Sequence, residues 1–152
     1  MSARQRLRVQ EVDPAAYRTV LAMERYVHSG TLGKSLINLI KIRASQLNGC
    51  AFCLDMHTRE ATAEGESPRR VAVLSAWREA PELYTERERA AIALTEAVTL
   101  IARAGVPDDA WDTARASFDE PELVQLLMAI STINVWNRLA VATHQSLPDL
   151  AF

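Results

Sequence analysis

The chain has little cysteine, no long apolar run and almost no net charge. Its 152 residues include two cysteines, and 17 basic against 19 acidic residues leave a formal charge of -2. No apolar run reaches the roughly 18 residues of a membrane span, and the polar N-terminus has no signal-peptide core. We therefore expect a cytoplasmic protein with neither nucleic acid nor membrane as a partner, because no basic excess is present to bind either one.

Strand patterns are also missing, whereas helix signals recur along the chain. Capping side chains followed by proline or by a capping box occur at Asp13-Pro14, Ser67-Pro68, Thr85-Glu86-Arg87-Glu88 and Asp119-Glu120-Pro121. The apolar spacing predicts helices over about 34–47, from Ser67-Pro68 through Trp77, and from Thr85 to Gly105. We expect residues 1–152 to form a single all-α domain, a bundle of about seven helices.

The two cysteines lie three residues apart, and a histidine follows four residues after the second. A helix turns by about 100° per residue, so a helical segment brings Cys50, Cys53 and His57 within roughly 60° of one face. A dithiol beside an imidazole is typical of thiol redox chemistry, and the one-turn spacing predicts a reversible Cys50–Cys53 disulfide. The spacing does not decide which thiol attacks a substrate, although a helix N-terminus favours a thiolate at Cys50.

Other roles for the same residues give different expectations. The cysteines could be an inert core pair, since free cysteine is often buried. A zinc site would need a fourth ligand beside Cys50, Cys53 and His57, and no second C-x-x-C supplies one. A thioredoxin-like site follows a strand, which is missing here. Because cytosolic thiols are kept reduced, we favour a catalytic dithiol, with no metal and no bound cofactor.

Three segments together resemble one known family. Residues 42–58 read IRASQLNGCAFCLDMHT, residues 93–99 read ALTEAVT and residues 133–139 read INVWNRL. They resemble the alkylhydroperoxidase D (AhpD)-like branch of the carboxymuconolactone decarboxylase family, over most of residues 35–147. The resemblance implies an all-helical fold, a homo-oligomer (trimer or hexamer) and a peroxide-reducing dithiol. It also implies that Cys53 is peroxidatic, that Cys50 resolves the sulfenic acid, and that His57 belongs to a proton relay.

The carboxylate of that relay is not settled by the resemblance. The family's glutamate falls on Asn38 in this chain, and Phe52 stands where some relays have a histidine between the cysteines. Glu96, Glu60 and Asp55 are the candidate replacements. Glu96 is the most unusual, because a carboxylate amid apolar residues needs a partner, in a structural pair or in the active site.

Other conspicuous residues have ordinary interpretations. We expect Lys41 and Arg43 on a solvated or inter-subunit face, and His28 in a structural or surface position. Trp77, Trp111 and Trp136 are expected to be core or interface anchors.

The predicted function is a thiol-dependent peroxidase that reduces hydroperoxides through Cys53 and Cys50, with His57 and Glu96 as further catalytic candidates. Its electrons would come from a thiol or dithiol reductant protein. One rival is a lactone decarboxylase-like enzyme of the same family, whose acid–base chemistry does not need a C-x-x-C. The other is a non-catalytic redox-sensing or binding oligomer, in which the cysteine pair only switches between dithiol and disulfide.

Overall fold

Residues 4–148, which the computed structural model describes, form nine α-helices and two 3₁₀ segments, with no strand among these residues. Residues 1–3 and 149–152 of the predicted domain lie outside the described residues. The helices are α1 (Val9–Val12), α2 (Pro14–Val27), α3 (Lys34–Asn48), α4 (Ala51–Ala63), α5 (Pro68–Val73), α6 (Glu86–Thr99), α7 (Ile101–Ala104), α8 (Asp108–Ser117) and α9 (Glu120–Thr143). The 3₁₀ segments are Leu74–Glu79 and Pro81–Leu83. The all-α prediction is confirmed.

Three of the predicted helix starts are formed by the expected side-chain caps. Asp13 accepts a hydrogen bond from the Ala16 N–H at 2.9 Å, and Pro14 is the first residue of α2. Reciprocal capping boxes open α6 and α9, through Thr85 and Asp119 respectively. Each cap satisfies backbone N–H groups that a helix start leaves without an internal partner.

Nine α-helices are present rather than about seven, because one predicted helix is divided into α6 and α7 and because α1 was not predicted. Another predicted helix changes to a 3₁₀ segment part-way along. The helix expected from Pro68 through Trp77 tightens to a 3₁₀ segment at Leu74. Residues three apart superimpose along a 3₁₀ helix, so Leu74 and Trp77 both enter the core. The helix expected to reach Gly105 breaks at Leu100, between α6 and α7.

Helix α3 lies at the centre of the bundle and contacts α4, α6 and α9. Nine of its fifteen residues are buried, on all sides of the helix, as expected for a helix surrounded by others. The buried set includes three polar residues, Asn38, Lys41 and Ser45. This central position means that polar side chains of α3 must find partners inside the protein.

The C-terminal end of α3 is fixed to α9 by amide side chains. Asn48 donates hydrogen bonds to Asn134 (3.0 Å) and Asn137 (2.8 Å), and Asn137 donates to the Ser45 hydroxyl at 3.0 Å. These contacts hold the α3–α4 turn, where the cysteines lie, against α9. Within residues 4–148, no helix is both long enough and apolar enough to cross a membrane.

Candidate active site

The predicted disulfide joins Cys50 to Cys53 at the start of α4. Gly49 ends α3 in the left-handed region (φ 64°), which glycine adopts without a steric penalty, and the Cys50 N–H donates to the Ser45 carbonyl at 3.0 Å. Cys50 is therefore the N-cap of α4, and its Sγ accepts a hydrogen bond from the Cys53 N–H at 3.3 Å. Only 1% of Cys50 and 2% of Cys53 is exposed. Any reagent must reach these sulfur atoms through a cavity.

Cys53 lines a cavity of about 590 Å³ between α2, α3, α4 and α9. Part of the lining is largely apolar and is formed by Tyr17, Leu21, Phe52, Met56, Trp136 and Ala140. The rest of the lining besides Cys53 is polar and is formed by Glu24, His28, Lys34, Asn38, Lys41, His57, Glu60, Glu64 and Gln145. An apolar chamber with a few convergent polar groups is the usual form of a small-molecule site.

His57 lies one turn after Cys53 on α4, and its imidazole is oriented by Glu60. The His57 Nδ1 and Glu60 Oε2 atoms are 2.8 Å apart, and the hydrogen bond from His57 lowers the pKa of Glu60 below its usual range. An ionised Glu60 only accepts hydrogen bonds, so it holds the proton of a neutral His57 on Nδ1. His57 Nε2 is buried and makes no hydrogen bond within the described residues. In the neutral imidazole, with its proton on Nδ1, this nitrogen is a proton acceptor.

A second polar group in the same cavity centres on Lys41, which is 3% exposed. Its ammonium donates to Glu24 Oε2 at 2.7 Å and lies 3.2 Å from His28 Nε2. Burial and the Lys41 charge lower the pKa of His28, so near neutral pH its imidazole accepts the Lys41 hydrogen bond. Trp136 Nε1 donates to the other Glu24 oxygen at 3.0 Å.

One sequence expectation for these residues was wrong, because Lys41 is buried and does not lie on a solvated face. His28 is at the surface, as expected, and contacts Lys41. Trp136 packs against the core, as expected, and also lines the cavity and donates a hydrogen bond. Sequence reasoning also missed Glu24. The available signal was Lys41 itself, a charge within the apolar run of residues 39–42, since a buried charge requires a partner.

The structure separates Glu96 from the thiols. Glu96 lines a different cavity, of about 900 Å³, that neither cysteine lines. Its carboxylate accepts hydrogen bonds from Arg43 Nε (2.7 Å), Trp77 Nε1 (2.9 Å) and Arg78. Burial raises the pKa of Glu96, but these donors outweigh burial and the pKa is lowered overall. Glu96 is therefore the anion of a structural cluster that joins α3, α6 and a 3₁₀ segment.

The structure also shows where the other residues considered for the relay carboxylate lie. Asp55 pairs with Arg59 at 2.7 Å and does not line the Cys53 cavity. Asn38 does line it, and donates to Glu64 at 2.9 Å. Glu60 is thus the candidate that contacts His57. Among residues 4–148, no three His, Cys, Asp or Glu side chains converge as a metal site.

Replacing Glu96 with glutamine is expected to lower the free energy of unfolding by about 2–3 kcal/mol. Breaking a fully buried pair costs roughly 3–5 kcal/mol, but Arg78 is largely exposed here. Because the pKa of Glu96 is lowered on folding, its stabilisation is complete above the ordinary value of 4.5 and is lost as the pH falls through the folded value. Urea unfolding at pH 7 should show the full difference, and unfolding in acid a smaller one.

The matched control for this variant is Glu11→Gln, which breaks the exposed Arg8–Glu11 pair and should leave stability unchanged. If Glu96→Gln instead slowed thiol oxidation by hydroperoxide without loss of stability, Glu96 would again be a candidate for the proton relay.

Comparisons with known proteins agree with this architecture. The model of the carboxymuconolactone decarboxylase family matches residues 14–97. The uncharacterized protein YdfG of Bacillus subtilis (strain 168) is 41% identical over 138 residues, which cover 91% of this chain and 93% of YdfG. The debrominase Bmp8 has a TM-score of 0.81 at 18% identity, over 91% of this chain and 74% of that chain. The likeness to Bmp8 shows the fold alone.

A crystal structure from Agrobacterium tumefaciens shares both fold and sequence with this chain. It is ATU0492, a protein of unknown function provisionally assigned as the antioxidant defence protein AhpD. Its TM-score is 0.93 at 45% identity, and the match covers 97% of this chain and 100% of that chain. Since the family model matches more than half of the chain and YdfG is 41% identical over most of its length, the protein belongs to the carboxymuconolactone decarboxylase family.

Proposed function

We propose that the protein is a thiol-dependent peroxidase that reduces hydroperoxides with the Cys50–Cys53 dithiol. The observation that carries the proposal is the position of Cys53 in a cavity with the Glu60–His57 pair. A thiolate nucleophile needs a base that removes its proton, and a base needs a group that orients it. Cys53 would be the nucleophile, His57 the base, and Glu60 the group that orients the base.

In the first step, His57 Nε2 accepts the Cys53 proton and the thiolate attacks one oxygen of the O–O bond. The O–O bond breaks, a sulfenic acid forms on Cys53, and the alkoxide leaves with the electron pair. Protonated His57 returns its proton to the alkoxide, which becomes an alcohol. In the second step, the Cys50 thiol attacks the Cys53 sulfenic acid, the disulfide forms, and water leaves.

Lys41 adds a positive charge to this cavity. An ammonium group has three N–H donors, and Glu24 and His28 use two of them. Among residues 4–148 the third has no hydrogen-bond partner. It can stabilise the thiolate or the departing alkoxide, because a charge-assisted hydrogen bond is strong where water is excluded. Glu24 balances the charge of Lys41, so the pair does not leave an isolated cation in the interior.

Turnover with a reductant is the direct test. The reduced protein should consume cumene hydroperoxide continuously in the presence of dithiothreitol, faster than dithiothreitol alone. The same assay with thiols blocked by iodoacetamide should show only the background rate. Consumption of one equivalent followed by arrest would favour the redox sensor. No consumption would favour an acid–base enzyme or an inert thiol pair.

Several features of this proposal come from the sequence and stay predictions. They are the thiol or dithiol reductant protein, the trimeric or hexameric assembly, and the cytoplasmic location. A reducing cytosol would return the disulfide to the active dithiol after each turnover.

A further inference from the structure

The two cysteines of the disulfide line different cavities. Cys53 lines the large cavity described above, and Cys50 does not. Cys50 instead lines a groove of about 260 Å³, which Cys53 does not line. The groove is formed by Gly49, Cys50, Ala51, Phe52, Ala140, Val141, His144, Gln145, Ser146 and Leu147. We call it the Cys50 groove.

The turn that ends α9 builds one side of this groove. His144 adopts the left-handed conformation (φ 53°), and the Gln145 N–H donates to the Ala140 carbonyl at 2.9 Å. An N-terminal residue holds the same turn, because the Arg6 N–H donates to the Thr143 carbonyl at 2.8 Å. These backbone hydrogen bonds fix the position of the groove wall.

From this arrangement we infer that the reductant enters through the Cys50 groove, while the hydroperoxide enters through the large cavity. The inference rests on the proposed function, since it assigns the second half of the same catalytic cycle. Which sulfur of a disulfide is attacked depends on access. A thiolate in the groove therefore attacks Cys50, and one in the large cavity attacks Cys53.

The electrons can be followed through each step of the reduction. A thiolate of the reductant attacks Cys50 Sγ, the Cys50–Cys53 bond breaks, and Cys53 leaves with the electron pair as a thiolate. That thiolate appears in the cavity that holds Lys41 and His57, ready for the next hydroperoxide. The second thiol of the reductant then attacks the mixed disulfide. Cys50 leaves as a thiolate and takes a proton, and the reductant becomes a disulfide.

The lining of the groove indicates the chemical class of the reductant. None of its ten residues is aspartate, glutamate, lysine or arginine, and most of them are apolar or small. A groove of this size and character favours an uncharged dithiol, because it holds no lysine or arginine to pair with carboxylate groups. An uncharged dithiol also supplies the second thiol that resolves the mixed disulfide.

The test measures reduction of the oxidised protein by dithiothreitol, with no peroxide present. Val141 lies in the groove and is 43% exposed, so Val141→Trp should fill the groove without disturbing the core. We expect the rate of disulfide reduction to fall by about tenfold or more, because misplacing a reacting group by about 1 Å can cost 10²-fold. Ser146→Trp, a second groove variant, should act in the same way. The reaction is stopped with acid, and alkylated thiols are counted by mass spectrometry.

Two tryptophan variants complete the design. Val124→Trp, at a 53% exposed position of the same helix, lines neither cavity and should leave both half-reactions unchanged. Leu21→Trp narrows the large cavity, and should slow oxidation by cumene hydroperoxide while leaving reduction unchanged. If Leu21→Trp slowed reduction and the groove variants did not, the inference would be overturned. Equal reduction rates in all four variants would also overturn it.

Alkylation by iodoacetamide provides an independent measurement. In a Cys53→Ser background, Val141→Trp should slow alkylation of Cys50. In a Cys50→Ser background, Val141→Trp should leave alkylation of Cys53 unchanged. If Val141→Trp slowed alkylation of Cys53 and not of Cys50, the groove would not be the route to Cys50. The reduction and alkylation rates decide the groove assignment, and neither is measured with a hydroperoxide present, so failure of the groove assignment and failure of the peroxidase proposal are distinguishable.

Discussion

Replacing Cys53 with serine is expected to reduce peroxide turnover by about 10⁴-fold or more, the scale seen when an enzyme loses its nucleophile. A serine hydroxyl is not ionised near neutral pH, whereas a cysteine thiol with a nearby base is readily converted to thiolate. Cys53 lies in the cavity with His57, so no other described thiol can replace it there. The measurement is steady-state consumption of cumene hydroperoxide with dithiothreitol.

The partner variant Cys50→Ser should behave differently. Serine is a favourable N-cap, so it can accept the Cys53 N–H hydrogen bond and preserve the start of α4. Cys53 should still consume one equivalent of hydroperoxide, and its sulfenic acid should accumulate because the resolving thiol is gone. A sulfenic-acid trapping reagent and mass spectrometry would locate the product. If Cys50→Ser abolished the first oxidation and Cys53→Ser did not, Cys50 would be the attacking residue.

Replacing His57 with alanine is expected to slow oxidation of Cys53 at pH 7 by about 10²–10⁴-fold, the usual contribution of a placed general acid–base group. His57 Nε2 is a buried acceptor one helical turn from Cys53, and no other imidazole is oriented by Glu60. The variant leaves Glu60 half exposed to water, so it does not create a buried unpaired charge. Single-turnover rates across a pH range should show the loss near neutral pH and recovery at alkaline pH, where hydroxide generates the thiolate.

Two carboxylate-to-amide variants on α4 test whether Glu60 acts by orienting His57 or whether loss of any negative charge on this helix slows the reaction. Glu60→Gln keeps an oxygen that accepts the Nδ1 hydrogen bond but removes the charge, so its rate should fall less than that of His57→Ala. Asp55→Asn breaks the Asp55–Arg59 pair outside the cavity and should leave the rate unchanged. Wild-type rates in both His57→Ala and Glu60→Gln would show that the imidazole has only a structural role.

The starts of the main helices could be predicted because they depend on neighbours in sequence. A capping side chain at Thr85 or Asp119 reaches N–H groups no more than three residues away. The sequence did not reveal the 3₁₀ segment at Leu74 or the break at Leu100. At Leu74, the tighter turn lets both Leu74 and Trp77 enter the core. Thr99, next to the break, accepts a hydrogen bond from Asn134 of α9.

The dithiol and its histidine could likewise be located from sequence. Cys50, Cys53 and His57 lie within eight consecutive residues, and the Asn48-Gly49 turn that positions Cys50 is local. The same reasoning gave Glu60 as one of three candidate carboxylates. It could not rank Glu60 above Glu96, because ranking requires knowing which helix faces meet.

What the sequence alone determined was therefore the all-α class and the position of the redox pair at the start of a helix, since caps, turns and one-turn spacings are local. Only the tertiary structure decided which charges surround the thiols. Glu96 and Lys41 are both charges in apolar runs, yet packing directs Glu96 to arginines in another cavity and Lys41 to the Cys53 cavity. Trp136 reaches Glu24 across 112 residues of chain. Such contacts follow from how whole helices pack, and helical periodicity does not encode which helices become neighbours.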